Sequence, residues 1–192
     1  MPPTCAPSDH GAQTVNIPFM GDAAAKPGIM QERTLVQIVE NFHLRGSEIA
    51  YVHKRGYRVV CWSYRQIADA AHQMARELQS RGIQPEEKIF LWGENCAEWV
   101  ISFFGCILRG AVVVPMDHAA SLEFAQRVCS QVDAHLCICS CQKPQINPLL
   151  PVLSFENFSQ FLKRHPTNPL PLPDLTSLDA VEIVFTSGTT GD

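Results

Sequence analysis

Val181-Glu182-Ile183-Val184-Phe185-Thr186-Ser187-Gly188-Thr189-Thr190-Gly191-Asp192 is the stretch on which the reading of this chain turns. Its first five residues are β-branched or aromatic apart from one Glu, a composition that suits a strand. The next six are only Thr, Ser and Gly. Glycine lets successive backbone N–H groups turn into one concavity, and the hydroxyls add donors that rotate to fit, so Thr186, Ser187, Gly188, Thr189, Thr190 and Gly191 read as a phosphate cradle. Open α/β sheets hold phosphate at the carboxyl ends of their strands, which is where this loop would lie. A Ser/Thr/Gly stretch can also be a flexible linker. The apolar strand running straight into it argues against that. Nor is it the cradle Gly-x-x-x-x-Gly-Lys-Ser/Thr of kinase-like nucleotide binders, since no Lys follows the second Gly.

Working back from that stretch, His165 to Asp174 carries four prolines and reads as a stiff connector. Before it, Ser154 caps a short helix that turns Phe155, Phe158, Phe161 and Leu162 inward. Residues 141–151 are irregular, and His135 to Ser140 is a strand. Ser121 caps a helix ending near Val132. Ala111 to Val114 is a short apolar strand of the kind covered on both faces. A helix capped by Asn95, with Glu98 at its third position, runs to Arg109 and stops at Gly110. Lys88 to Trp92 is a strand. Ser63 and Gln66 form a capping box for a helix whose inward stripe is Ile67, Ala70, Ala71, Met74, Ala75 and Leu78. Ile49 to His53 and Tyr57 to Trp62 are strands around a turn at Lys54-Arg55-Gly56, and Thr34 with Gln37 is a capping box for a helix over 34–45. From about Val59 onward strands and helices alternate. That order predicts an α/β fold, a mostly parallel sheet with helices on both faces.

Composition sets limits. The 192 residues are 46% hydrophobic and 18% charged, enough for one good core, and the net charge of -4 gives no reason to expect a nucleic-acid partner. Residues 1–30 read as a flexible arm without a signal peptide. The longest apolar block, Trp99 to Leu108, is followed by Arg109-Gly110 and falls short of the roughly 20 residues of a membrane span. The expectation is therefore a cytoplasmic protein with no integral membrane segment, leaving room only for peripheral membrane contact. Eight cysteines without a secretion signal predict reduced thiols. His135, Cys137, Cys139 and Cys141 alternate and would share one strand face. At about 3.3 Å per residue they spread over about 20 Å, too far for one zinc. They read as small buried hydrophobes, and no metal ligand is assigned.

Several segments, taken in order, resemble the adenylate-forming (AMP-binding) enzymes: acyl-CoA synthetases, luciferases and the adenylation domains of peptide synthetases. Phe185 to Gly191 matches that family's aromatic-Thr-Ser-Gly-Ser/Thr-Thr-Gly loop, with Asp192 at its variable position. The Pro-Lys-Gly that usually follows is absent from the sequence. Trp62-Ser63-Tyr64-Arg65-Gln66-Ile67 is similar to its Thr/Ser-Tyr-x-x-Leu/Ile helix start. Gly82-Ile83-Gln84-Pro85-Glu86-Glu87-Lys88-Ile89 is similar to Gly-Val-x-Pro-Gly-Asp-x-Val. Asn95-Cys96-Ala97-Glu98-Trp99 is similar to Asn-Ser-x-Glu-Trp, and Gly105 to Pro115 to Gly-x-Leu-x-Ala-Gly-Ala-Val-x-Val-Pro. Two departures are Glu86-Glu87 for Gly-Asp and Asp117-His118 for Asn/Asp-Pro. His118 has no nucleophile or carboxylate partner near it in sequence and reads as a solvated loop residue.

The resemblance implies that residues 31–192 are an incomplete N-terminal portion of an AMP-binding domain, the front of the family's large domain. It implies an ATP-dependent ligase that joins a small carboxylic acid, most like a fatty acid, to CoA through an acyl-adenylate. ATP, Mg²⁺ and CoA are implied for the whole enzyme, with residues 186–191 on the ATP phosphates. No catalytic residue is assigned within the chain, and the 192 residues alone are expected to be inactive. An adenylation domain that loads a carrier protein is the near alternative. A non-catalytic remnant or interaction module of the same fold is the distant one.

Overall fold

The computed structural model describes residues 34–176 and 178–185. In chain order the elements are α1 (Leu35–Arg45), β1 (Ile49–Arg55), β2 (Arg58–Ser63), α2 (Tyr64–Ser80), β3 (Lys88–Trp92), α3 (Ala97–Arg109), β4 (Val112–Met116), α4 (Leu122–Val132), β5 (Leu136–Cys139), β6 (Val152–Ser154) and α5 (Phe158–Leu162), with a 3₁₀ turn at Phe155–Asn157 before α5.

Strands β3 to β6 form one parallel sheet in the order β4-β3-β5-β6. Its residues alternate between two apolar cores, as the two-residue period of a strand dictates. Ile89, Leu91, Val113, Leu136, Ile138 and Leu153 face the helices α2, α3 and α5. Phe90, Trp92, Val114, Met116, Cys137 and Cys139 face α4. A further apolar layer joins Val36 and Val39 of α1 to Ala68, Ala71 and Ala75 of α2 and to Ile107 and Leu108 of α3. Burying a side chain such as Phe90 or Ile89 is worth about 2 kcal/mol, well above the strand propensity of any one residue. Helices thus lie on both faces of a parallel sheet, as the alternation predicts. Among the described residues no helix is long and apolar enough to cross a membrane.

Several local expectations hold. Ser63 accepts from the Gln66 N–H while the Gln66 side chain accepts from the Ser63 N–H, which completes the box that starts α2. Ser121 accepts from the Phe124 N–H at 3.2 Å, and Gly110 ends α3 with φ 74°. The connector from His165 to Asp174 has no regular structure.

Others are corrected. Thr34 is the N-cap of α1 but its side chain accepts nothing, because the Gln37 N–H is taken by the Thr34 carbonyl at 3.1 Å. The cap of α3 is Cys96 rather than Asn95, without side-chain capping. Strand β2 is not part of the parallel sheet. It pairs antiparallel with β1 alone, Lys54 opposite Val59, through a turn in which Gly56 has φ 59°. The short turn after β1 lets β2 pair at once with its neighbour in sequence, and β2 makes no ladder with β3. The three-residue strand β6, at Val152–Ser154, is an addition to the expected order.

The strand expected at Ala180 to Phe185 is reduced to one bridge. Val113 donates to the Val181 carbonyl and accepts from the Ile183 N–H, each at 2.9 Å, and Glu182 runs parallel to β4. Pro115 explains the shortfall. Residues of a strand alternate the side on which they bond, so Pro115 falls on the same side as Val113 and has no N–H to continue the ladder.

Candidate functional site at the carboxyl edge of the sheet

Because β3 to β6 are parallel, the turns after all four strands open on one edge. The segment ending at Phe185 runs the same way, and Ile183 and Phe185 pack on the core that holds Trp92, Val114 and Met116. The chain therefore reaches that edge at Phe185. The predicted cradle, Thr186, Ser187, Gly188, Thr189, Thr190 and Gly191, lies outside the described residues.

A crevice of about 240 Å³ opens at this edge. Lys54 of β1, Glu94 after β3, His118 after β4, Ser140 after β5 and Glu156 after β6 line it. Gly93, after β3, passes close beneath the Phe155 ring. A Cβ on Gly93 would lie 3.2 Å from Cζ of Phe155 and closer still to its Cε2, so only glycine fits beneath that ring.

The loop after β4 is clamped. The Trp92 indole N–H donates to the Asp117 carbonyl at 2.9 Å, and the Lys143 ammonium donates to the His118 carbonyl. Lys143 also sits 4.8 Å from the centre of the Trp92 ring, a cation–π contact. The carboxylate of Asp117 accepts from the Ala119 N–H at 2.8 Å. The His118 ring does have a carboxylate partner, Glu94 at 3.3 Å, which comes from the neighbouring strand and so could not be seen near it in sequence.

The turns after β5 and β6 are tied by Glu156. Its carboxylate accepts from the Ser140 hydroxyl and the Cys141 N–H, each at 2.8 Å, and from the Ser154 hydroxyl. Burial alone would raise its pKa. The hydrogen bonds from Ser154, Cys141 and Ser140 outweigh that and hold it at about 2. The group is thus an ionised brace with its lone pairs engaged, unsuited to proton transfer near neutral pH.

His135, Cys137, Cys139 and Cys141 are not gathered at one point. Cys137 and Cys139 point into the core, Cys141 is exposed past the end of β5, and His135 pairs with Glu87 at 3.5 Å at the strand's other end. Among the described residues no group of three or more His, Cys, Asp and Glu is placed to hold a metal. Among the described residues six cysteines are free thiols. The Cys96 thiol is raised to about 12, mainly by burial, and Cys106 is raised by burial too. Cys61 departs from the expectation of reduced thiols, being disulfide-bonded.

Sequence reasoning named the strand leading to the cradle and missed Glu94, Lys143 and Glu156. Ser154 two residues before Glu156 is a capping signal, but that Glu156 also closes the β5 turn depends on β6 pairing beside β5. No local pattern marks Lys143.

Comparison with known proteins fits this geometry. The family model described as AMP-binding enzyme matches residues 41–192. Among curated relatives, "Long chain acyl-CoA synthetase 2" of Arabidopsis thaliana is 26% identical over an alignment 157 residues long that covers 68% of this chain and 24% of that protein. "Nonribosomal peptide synthetase nanA" of Aspergillus nanangensis is 30% identical over 134 residues, 67% of this chain and 5% of that protein. Among solved structures, the anthranilate CoA ligase AuaEII in complex with anthranoyl-AMP has a TM-score of 0.71 at 23% identity, covering 81% of this chain and 32% of that one. The chain spans about a quarter of the length of the first two acyl-CoA synthetases it matches, 24% and 28%. A match over residues 41–192, ending in the strand and loop from which the sequence was read, places the chain in the family of AMP-binding, adenylate-forming enzymes.

Proposed function

We propose that this chain is the phosphate-binding front of an ATP-dependent carboxylic acid–thiol ligase. The observation that carries the reading is the segment ending at Phe185, which runs parallel to β4 toward the carboxyl edge of the sheet and is followed in sequence by Thr186 to Gly191. In the reaction, a carboxylate oxygen attacks the α-phosphorus of ATP. The bond to the bridging oxygen breaks, and acyl-adenylate and pyrophosphate form. A thiolate then attacks the acyl carbon and AMP leaves. Charge builds on the departing pyrophosphate, and the backbone N–H groups and hydroxyls of residues 186–191 would meet it with donors already in place. Around them, Gly93, the clamped 117–119 loop and the Glu156 brace would keep the edge rigid.

Mg²⁺ would accompany the nucleotide. Of the three described carboxylates of the crevice, Glu94, Glu98 and Glu156, two do not fit it, since Glu94 is paired with His118 and Glu156 is filled by three donors. No step is assigned to the metal here.

We take the acid to be a fatty acid and the acceptor CoA, supported by long-chain acyl-CoA synthetases among the relatives. Loading of a carrier protein is the second reading, favoured by the 30% identity to a peptide synthetase. The six free thiols support a cytoplasmic setting, against which stands the Cys61 disulfide. Because the chain spans about a quarter of those synthetases, 24% and 28%, we propose that the 192 residues alone do not turn over. The test is ATP-dependent pyrophosphate release with acids of graded chain length, followed by CoA or a pantetheine-bearing carrier as acceptor. Release by the full-length protein and none by the 192-residue chain is expected. Release by the short chain contradicts its inactivity, and acylation of the carrier alone contradicts the CoA reading.

A further inference from the structure

The segment that leads to the cradle is reached through the proline-rich connector, and that connector cannot bond itself. With prolines at 166, 169, 171 and 173 it lacks four backbone N–H groups, and several of its carbonyls take donors from elsewhere. One face of α2 supplies them. The Gln73 amide donates to the His165 carbonyl at 2.8 Å. The Arg76 guanidinium donates to the carbonyls of Pro166 at 3.1 Å, Asn168 at 2.7 Å and Pro169 at 3.2 Å, and to the Asn168 side chain at 3.3 Å. One turn along, Glu77 holds the His165 ring at 2.7 Å, and His72 accepts from the Leu170 N–H at 3.2 Å.

Past the clasp, Leu170 and Leu175 pack on the core of α1, α2 and α3. Leu175 and Pro173 then close over Gly110, where an added Cβ would meet them at 3.1 and 3.3 Å. Three residues later along β4, Val113 makes the bridge to Val181 and Ile183. The strap thus crosses the helical layer from α5 to the far edge of the sheet, and its free edge contact is a single bridge. One bridge cannot fix the segment's register by itself.

We propose that Arg76 is a positioning residue: by gripping three carbonyls of the strap it sets where the 181–185 segment meets β4, and so where the loop that follows is presented. Arg suits the task because its planar fork spans several acceptors at once, whereas a lysine ammonium at the same point reaches fewer in fixed geometry. The consequence for ATP rests on the function proposed above. The consequence for the segment does not.

The experiment compares wild type, Arg76→Lys and Arg76→Gln in the full-length protein, by hydrogen exchange of peptides covering 105–118 and 178–185 and by steady-state kinetics. In Arg76→Gln the amides of Val113 and Ile183 are expected to exchange about tenfold faster while β3 and β5 keep their protection. KM for ATP rises about tenfold with kcat little changed, and lysine does not restore it. Faster exchange confined to residues 165–172, with KM for ATP unchanged, would show a purely local clasp and overturn the proposal. So would loosening spread evenly over β3 and β5. If Arg76→Gln does not fold, Asn168→Ala removes one acceptor from the strap side and must show the same pattern more weakly, or the proposal fails. Wild-type protein that turns over no acid with ATP would refute the proposed function and leave the exchange data to decide on Arg76.

Discussion

Glu86 sits in left-handed backbone, φ 68°, at the position where the family's pattern has glycine. For a residue with a Cβ that conformation costs about 1–2 kcal/mol, and its N–H is held there by a 2.7 Å bond to the Gly110 carbonyl. The side chain is exposed. Glu86→Gly should therefore raise stability by about 0.5–1 kcal/mol, the relieved strain less the extra freedom of glycine in the unfolded chain. Urea unfolding of the two proteins measures it, and a less stable variant would show that the turn is not strained. At this scale the sequence was partly legible. Ser63 with Gln66 and Ser121 could be read because a cap bonds within three residues. Thr34 has the same pattern, yet its hydroxyl loses the Gln37 N–H to its own backbone carbonyl, a choice that composition does not reveal.

Among the elements, α2 and α3 pack most closely, and Gly105 is where their backbones approach. A Cβ there would lie 2.6 Å from Cβ of Met74 and 3.3 Å from the Ala71 carbonyl. Neither neighbour is the free end of a flexible chain, so the helices must separate. Gly105→Val is expected to cost about 3 kcal/mol or more and to lower the melting temperature sharply, and calorimetry checks it. A loss under about 0.5 kcal/mol would mean that the helices move apart freely. Helices and central strands were legible because their periods of 3.6 and 2 are written in the apolar residues. The fate of β2 and of the 181–185 segment was not. Their residues are strand-like, but pairing depends on what lies beside them: an adjacent partner for β2, and Pro115, with no donor, for 181–185.

For the whole molecule, buried titratable groups in the strap clasp set a response to acid. His72 is 3% exposed and its pKa falls from 6.5 to about 4. Burial is the main cause, with the nearby His43 and Arg76 adding to it. The neutral ring accepts from Leu170, and His43 in turn lies 4.0 Å from Asp69. A base depressed in the fold leaves the unfolded chain binding more protons between the two values. Stability is thus full above about pH 6.5 and falls as pH drops toward about 4, by at most about 3 kcal/mol. Glu77 and Glu156 are lowered carboxylates, so their contributions are lost at still lower pH, Glu156 toward about 2. Unfolding followed from pH 7 to 4 should show this loss, and His72→Gln should flatten it. An unchanged slope in the variant would place the acid sensitivity elsewhere. The cradle is read from composition alone, Thr, Ser and Gly after an apolar run. The carboxyl edge described beside it in the fold was not legible, because Glu94, Lys143 and Glu156 belong to three separate turns.

The central claim is that the loop at 186–191 handles the phosphates of ATP during activation of an acid. Its most direct test is acid-dependent ATP–pyrophosphate exchange by the full-length protein and by its Gly188→Val variant. In the proposed cradle a valine would add bulk and stiffen a backbone that has to turn its N–H groups inward. The expected result is exchange in the wild type that falls about a hundredfold or more in the variant, the scale of losing preorganised donors to a leaving oxyanion. Exchange at the wild-type rate in the variant, or none in the wild type with any acid, would contradict it.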